Sequence, residues 1–583
     1  MSARLIEKDL IANERFFPRL IAQLVRGGVR YFCIAPGSRN TPLTVAIARH
    51  EEATTFVHFD ERALAFHALG YAKATGSPVA VVVTSGTAVG NLLPAVMEAT
   101  LSHTPLLLLT GDRPPESRDT GVNQTCDQVK IFHNFIRWQV DLPCPTDALP
   151  PSFIDSTVTT ALLHMQHPPP GPVHINCMVR EPFFTAPLRE KPEVHHHPLP
   201  HLVRSSGVPV LPEAMIEEIA SLLASYEKGI IITGVPHAPT DTEALTVLSR
   251  TLQWPVFPDI LSPCRIEGAS HPEGCVVPYY ELLIEAFPEE DSFPEAILQL
   301  GDRFVSKGLF LWLRKAAPSL YVLSAPHAER IDPLHIVTHR LISDPDPFIR
   351  KLIPRLRHFP PPPSDWYELW RYRTERADKA LPAFFAEQKN LTESVCFRTL
   401  LHMSARPVLF IGNSIPIREA DRFFAPATCH PLRKFPVLFA NRGVSGIDGN
   451  IATIAGIAVA LKQPVVALIG DLTLLHDMTS LAQIKELESP VTLIVFNNEG
   501  GGIFSFLPIS SCASIHRPFF QAPHGIDIEK VATLFAWEYE KMSTLSSLSS
   551  RLDALPSRPT LLEVDTEAEE TKRVHDGAVS ALR

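Results

Sequence analysis

Short runs of aliphatic and β-branched residues alternate along the chain with longer stretches of helical periodicity. That alternation predicts parallel sheets covered by helices on both faces. The runs fall into three groups. The first holds VRYFCIAPGS (29–38), PVAVVVTSG (78–86) and PLLLLTGD (105–112). The second holds GIIITGV (229–235), EAILQLGD (295–302) and SLYVLSAP (319–326). The third holds RPVLFIGNS (406–414), PVVALIGD (464–471), PVTLIVFNN (490–498) and PTLLEVDT (559–566). Two Pro-rich stretches, PLREKPEVHHHPLPHL (187–202) and RHFPPPPSDW (357–366), lie between the groups. Clustered prolines continue neither a helix nor a central strand, so both read as semi-rigid linkers. The pattern predicts an α/β protein of three doubly wound parallel-sheet domains, over 1–186, 203–356 and 367–583.

Composition changes this picture little. A chain of 583 residues is too long for one core, and a length prior alone allows three or four domains. Hydrophobic residues at 45% and charged residues at 20% suit a globular protein. A net charge of -10 provides no basic field for nucleic acid, so local Arg and Lys must draw in any anionic substrate. The nine cysteines are scattered and form no C-x-x-C pair, which argues against a disulfide framework or a zinc site. The His triplet at 195–197 sits in a Pro-flanked linker and reads as solvated surface. The charged start, MSARLIEKDLIANERFF, lacks a signal-peptide pattern. No apolar run approaches the roughly 18 residues that span a bilayer. A cytoplasmic protein without membrane insertion is expected.

Candidate chemistry belongs at strand ends, because ligands of open α/β sheets sit beyond the carboxyl ends of strands. Gly-Asp or Gly-Asn ends recur at 111–112, 301–302, 412–413 and 470–471. The most specific segment is GDLTLLHD (470–477) followed by FNNEGGGIFSF (496–506). Asp471 and Asn498 end neighbouring runs, so parallel pairing puts both at one sheet edge. With the Gly500 carbonyl they form an oxygen set suited to magnesium. Gly500 to Gly502 leave backbone N–H groups free to approach a diphosphate. A second segment, HFDERALAFHALGYAKATG (58–76), reads as a short strand ending at Asp60-Glu61 and then a helix. Taken alone, Glu61 could simply complement a helix N-terminus.

The 470–506 segment resembles the diphosphate-binding motif of thiamine-diphosphate enzymes, with Leu472 where Gly is usual. The order of HFDERALAF, TSGTAVGNLLPAVMEA (84–99) and LTGDRPP (109–115) resembles their pyrimidine-binding domain. The resemblance implies that Glu61 hydrogen-bonds an aminopyrimidine ring nitrogen and favours the imino form that takes up a proton. Thiamine diphosphate would supply the carbanion chemistry and the protein its orientation.

Four further segments, APGSRNTPLT (35–44), LTGDRPPESRDTGVNQTCDQ (109–128), GNSIPIRE (412–419) and NRGVSGIDGNIATIAG (441–456), are similar to one family. That family is the 2-succinyl-5-enolpyruvyl-6-hydroxy-3-cyclohexene-1-carboxylate synthases of menaquinone biosynthesis. The similarity covers both outer domains and is weak in the middle one. It implies a transferase that decarboxylates 2-oxoglutarate and adds the succinyl fragment to isochorismate. It also implies magnesium, with manganese as an alternative, and an active site shared between subunits of a homodimer or homotetramer. Cofactor contacts are expected from Glu61, Ile447, Gly470, Asp471, Leu472, Asn498, Gly500, Ile503 and Phe504, with metal ligation by Asp471, Asn498 and Gly500.

Both substrates are dicarboxylates, which suits planar, bidentate Arg. Ser414 and Arg418 match positions near the succinyl carboxylate. Ser38, Arg39, Arg113, Asn123, Gln124 and Arg442 match the second-substrate pocket. Phe504 and Leu507 match a helical turn roofing the site. Lys307 is a further candidate, although Gly308 stands where some family members carry a second basic residue. Two other readings stay open: another thiamine-diphosphate 2-oxo-acid lyase, similar to acetohydroxyacid synthase, and a catalytically silent relative. Against the first, no Gly-rich dinucleotide fingerprint follows the 229–235 run, only GVPHAP.

Overall fold

A computed structural model describes residues 3–184, 207, 209–236, 241–267, 274–359, 364–403, 407–425, 437–485 and 487–583. The His triplet and the whole 187–202 linker lie outside the described residues.

Three parallel sheets carry the fold. The first contains β1 (Tyr31–Ile34), β2 (Thr54–Val57), β3 (Val79–Val83), β4 (Leu106–Asp112), β5 (Trp138–Leu142) and β6 (Val173–Met178), in the order β2-β1-β3-β4-β6-β5. The second contains β7 (Gly229–Thr233), β8 (Val256–Pro258), β9 (Ala296–Leu300), β10 (Leu320–Ala325) and β11 (His339–Ile342), ordered β11-β10-β9-β7-β8. The third contains β12 (Val408–Ile411), β13 (Leu438–Phe439), β14 (Val465–Gly470), β15 (Val491–Asn497), β16 (Glu538–Met542) and β17 (Thr560–Asp565), ordered β13-β12-β14-β15-β17-β16.

Most inner strands are largely apolar because both faces are covered. In the first sheet Phe32, Ile34, Ala80, Val82, Leu107 and Leu109 join one core. The alternate residues Tyr31, Cys33, Val79, Val81, Leu106 and Leu108 join another on the opposite face. The second sheet divides likewise, with Ile230, Ile232 and Ile297 on one side and Ile231, Leu298 and Val322 on the other. This period-two split is what a doubly wound sheet requires.

Strand order reverses between β1 and β3, between β7 and β9, and between β12 and β14, and again at the β6-β5 and β17-β16 ends of the first and third sheets. The crevice beyond such a point is where an open α/β sheet offers a ligand site. Ser38 and Arg39 follow β1, the Gly301-Asp302 turn follows β9, and Ser414 and Asp471 follow β12 and β14.

The chain packs as two compact units. One comprises Met1–Ser206, Asn441–Pro464 and Thr473–Pro490, and the other Gly207–Ala440, Val465–Leu472 and Val491–Arg583. Among the described residues no helix is long and apolar enough to cross a membrane.

Candidate active site

In the first unit β2 stops at Val57, three residues short of the expected end at Asp60. Asp60 instead caps the helix Glu61–Thr75, its carboxylate accepting the Ala63 N–H at 3.1 Å. Its other oxygen accepts the Thr479 hydroxyl at 3.0 Å. Glu61 is therefore the first residue of a firmly capped helix and is half-buried.

That helix lies backbone to backbone against Asn450–Leu461. A Cβ on Gly70 would stand 2.1 Å from the Thr453 carbonyl oxygen, and one on Gly456 would stand 2.0 Å from that of His67. Gly449, at φ 64°, meets the Phe66 ring where any side chain would clash. Ile447 sits in the loop leading into this crossing, so the elements bearing Glu61 and Ile447 are held together. The same loop is fastened by Glu98, whose buried carboxylate accepts the Gly443 and Val444 N–H groups at 2.9 and 2.8 Å. Lys73 bridges Glu98 and the Asn441 side chain at 3.1 and 2.8 Å. Arg442 lies half-buried between these anchors.

The second-substrate candidates gather around the carboxyl ends of β1, β3 and β4. The Arg39 N–H donates to Thr84 Oγ1 at 3.3 Å, which draws the Ser38-Arg39 loop to the end of β3. Gln124, at φ 56°, donates through Nε2 to the Ser85 carbonyl, and Ser85 Oγ donates back to the Gln124 carbonyl, both at 3.0 Å. Arg113 Nη2 donates to the Asn123 carbonyl at 2.6 Å. Ser38, Asn123 and Gln124 are exposed. Arg39 is buried; its guanidinium donates to the Val179 carbonyl and Glu181 and stacks on Phe183, 4.6 Å from the ring centre.

Sequence reasoning missed the polar lattice beneath this loop. Asp112, fully buried, accepts from Arg118 at 2.6 Å and from Asn176 at 2.8 Å, while its other oxygen accepts the Arg113 N–H at 2.7 Å. Asp141 binds the same Arg118 with both oxygens at 3.0 Å. The only sequence signal was the Gly-Asp end of β4.

In the second unit the in-register pairing of Gly470 with Phe496 puts Asp471 and Asn498 at one sheet edge. Asp471 is almost fully buried and opens the helix Asp471–His476. Its Oδ1 accepts the Leu472 N–H at 2.6 Å, and its Oδ2 accepts those of Gly500 and Asn498 at 2.9 and 3.2 Å. Burial pushes this carboxyl above its usual range; the backbone donors and His524 pull the other way.

Three glycines let the 500–502 segment close on its surroundings. A Cβ at Gly500 would lie 2.1 Å from the Gln521 carbonyl oxygen, one at Gly501 2.2 Å from that of Phe520, and one at Gly502 2.6 Å from Asn498 Nδ2. Ile503 and Phe504 follow in the 3-10 turn Gly502–Phe506, with Phe504 edge-on to Phe520. Leu507 lies just past this turn, extended and exposed.

His524 was also missed, because a His in a loop carries no periodic signal. Its Nδ1 accepts the Ile526 N–H at 3.0 Å, which leaves the proton on Nε2, 3.3 Å from Asp471 Oδ2.

Ser414 has φ 73°, a conformation non-glycine residues rarely adopt, and it opens the helix Ile415–Phe423. Arg418 donates to the Ser414 carbonyl at 2.5 Å. Lys307 is exposed at the start of the helix Lys307–Ala316, which Ser306 caps through the Leu309 N–H at 2.9 Å.

Comparison with known proteins agrees with this geometry. Residues 16–131, 213–411 and 427–564 match, respectively, the N-terminal TPP binding domain, the middle domain and the C-terminal TPP binding domain of thiamine pyrophosphate enzymes. The 2-succinyl-5-enolpyruvyl-6-hydroxy-3-cyclohexene-1-carboxylate synthase of Rubrobacter xylanophilus is 40% identical over 97% of both chains. That of Salinibacter ruber is 41% identical over 96% of this chain and 94% of its own. The chain belongs to this synthase family. It is thus a thiamine-diphosphate-dependent enzyme of the menaquinone route, as its motifs led us to expect. A solved structure described as a thiamin diphosphate-dependent enzyme from Mycobacterium smegmatis superposes with a TM-score of 0.67 at 18% identity, covering 94% of this chain and 98% of that one, and shows the shared fold.

Proposed function

We propose that the chain joins 2-oxoglutarate to isochorismate with loss of carbon dioxide, working in the cytoplasm as a homodimer or larger homo-oligomer. The observation that carries this reading is the Asp471–Asn498–Gly500 cradle, set at a strand-order reversal in a chain of this family. Bound thiamine diphosphate supplies a nucleophilic carbon that lets a 2-oxo acid lose carbon dioxide and its remainder join a second substrate.

The residues present fit the cofactor and a divalent ion. Asp471 is a buried carboxylate that backbone N–H groups hold in place, and the Asn498 side chain and Gly500 carbonyl complete an oxygen donor set of the kind magnesium or manganese takes. The N–H groups of Gly500, Gly501 and Gly502, expected from the sequence to be free for a diphosphate, instead donate to Asp471, the Gln521 carbonyl and Asn498, and the glycines there let the turn close on the protein's own carbonyls. Leu472 replaces the usual Gly yet contributes its N–H to Asp471.

Glu61 would hold the pyrimidine ring through a hydrogen bond to a ring nitrogen, and Ile447 would support the cofactor by apolar contact. Gly470 and Leu472 border the diphosphate, while Ile503, Phe504 and Leu507 exclude water from above. Ser414, Arg418 and Lys307 take the far carboxylate of 2-oxoglutarate. Ser38, Arg113, Asn123, Gln124 and Arg442 take isochorismate, and Arg39 shapes that pocket through its fixed guanidinium.

Mass spectrometry of reactions containing thiamine diphosphate, magnesium, 2-oxoglutarate and isochorismate tests the reading. A condensed product that needs all four components, and that drops at least about 100-fold with Glu61→Gln, is expected. Unaltered turnover by that variant, or a preference for pyruvate over 2-oxoglutarate, would overturn it.

A further inference from the structure

Glu281 lies on the helix Tyr280–Ala286, which packs against both helices that bear candidate carboxylate ligands. One oxygen accepts Arg422 Nη1 at 3.0 Å, on the helix of Arg418. The other accepts the Ser306 hydroxyl, whose own oxygen caps the helix beginning at Lys307. Arg422 is fixed further by Glu285, one turn along, at 2.6 Å. The Glu281 and Arg422 side chains are only 16% and 14% exposed, so water competes weakly for this link. A Cβ at Gly308 would stand 3.1 and 3.3 Å from Cγ and Cδ of Glu281, which makes position 308 part of the same fit. Glu281 is also close enough to act on Arg418 electrostatically, opposing the effect of its burial.

We propose that Glu281 is a positioning residue for the 2-oxo acid: it ties the start of helix Lys307–Ala316 to helix Ile415–Phe423 and so sets the placement of Lys307 relative to Arg418. The inference rests on the reading of those two cations as ligands of the far carboxylate. Two cations that share one carboxylate must stand at fixed spacing, since small misplacements cost bidentate geometry.

Two effects of Glu281 on anion binding have opposite signs, and this makes the inference testable. As a bare negative charge beside Arg418, Glu281 would repel a dicarboxylate, and its neutralisation would tighten binding. As a positioning residue it supports binding, and its neutralisation would weaken it. The test is calorimetric titration of glutarate into protein loaded with thiamine diphosphate and magnesium, alongside steady-state kinetics. Glu281→Gln is expected to weaken glutarate about tenfold and to raise KM for 2-oxoglutarate in parallel, with kcat changed less than about twofold. Glu281→Asp, which keeps the charge, should recover part of that affinity. Ser306→Ala cuts the link while leaving the charge, and it provides the test if Glu281→Gln fails to melt cooperatively; weaker glutarate binding is expected again. Unchanged or tighter binding in Glu281→Gln, or unchanged binding in Ser306→Ala when the former does not fold, overturns the inference. Failure of the underlying reading looks different: Lys307→Ala and Arg418→Ala would both leave glutarate affinity intact in otherwise unaltered protein.

Discussion

His67 and His174 are both fully enclosed in the first unit and serve packing rather than chemistry. His67 Nε2 lies 3.0 Å from the Tyr31 hydroxyl and Nδ1 3.0 Å from Gln483 Oε1, with the Phe56 ring stacked at 3.7 Å. His174 Nε2 lies 2.7 Å from Thr110 Oγ1, above the edge of Phe132. Burial lowers both from 6.5 to about 3, against the opposing effects of Gln483 on His67 and of Asp141 on His174. A base whose folded pKa is depressed stabilises fully above its unfolded value, and that stability is lost as pH falls toward the folded value. Between pH 6.5 and 3 the unfolded chain holds more protons, so acid destabilises this unit. From pH 7 to pH 5 each His should remove on the order of 2 kcal/mol. Asp477, which burial raises to about 6, acts in the opposite sense over the lower half of that interval, by about 1 kcal/mol. The expected net loss is about 3 kcal/mol, read from amide exchange of β3 corrected for intrinsic rates. His67→Asn should cut that pH dependence to about one third; an unchanged slope would mean that the His67 ring is not held neutral.

At the scale of elements, all ten apolar runs read from the sequence contain a strand, the short strand expected before the Glu61 helix is β2, and seven strands in all fall outside those ten runs. Six of them, β2, β5, β8, β11, β13 and β16, are sheet edges. An edge strand has one neighbour and a partly exposed surface, so TTFV or EYEKM shows no continuous apolar run. The seventh, β6, is internal, but His174 and Asn176 interrupt it, and they are buried only because Thr110, Asp112 and Asp141 bind them across strands. Such long-range satisfaction of polar groups leaves no local trace. The helix crossing that joins the elements of Glu61 and Ile447 was hidden for a similar reason: a helical Gly looks like a weak helix former until its neighbour is known. Gly456→Ala should therefore destabilise by about 1–3 kcal/mol, despite a helix-propensity gain of up to about 1 kcal/mol. Gly90→Ala, with nothing within 4 Å of its new Cβ, should be neutral or mildly stabilising. Equal melting temperatures for the two variants would show that the crossing tolerates a side chain.

For the whole molecule, the cofactor class was legible because Asp471, Asn498 and three glycines lie within one stretch whose spacing a parallel sheet dictates. The parts of the site that depend on separate regions were not, as His524, Arg118 and Glu281 show; each acts through a partner 23 or more positions away. Glu61 and Asp471 belong to different compact units of the chain, and family resemblance implies that they meet across a subunit boundary. If so, two inactive variants must complement each other. Hybrid dimers of Glu61→Gln and Asp471→Asn chains, purified through two different tags, would contain one site with both residues intact and one with neither. Their turnover should reach about half that of the unaltered dimer, because the two sites of a symmetric dimer are otherwise equivalent. A site built within one chain predicts no recovery, since every chain of the hybrid would lack one essential group. Hybrids that fold and bind the cofactor but stay inactive would place catalysis within the single chain and remove the requirement for a dimer.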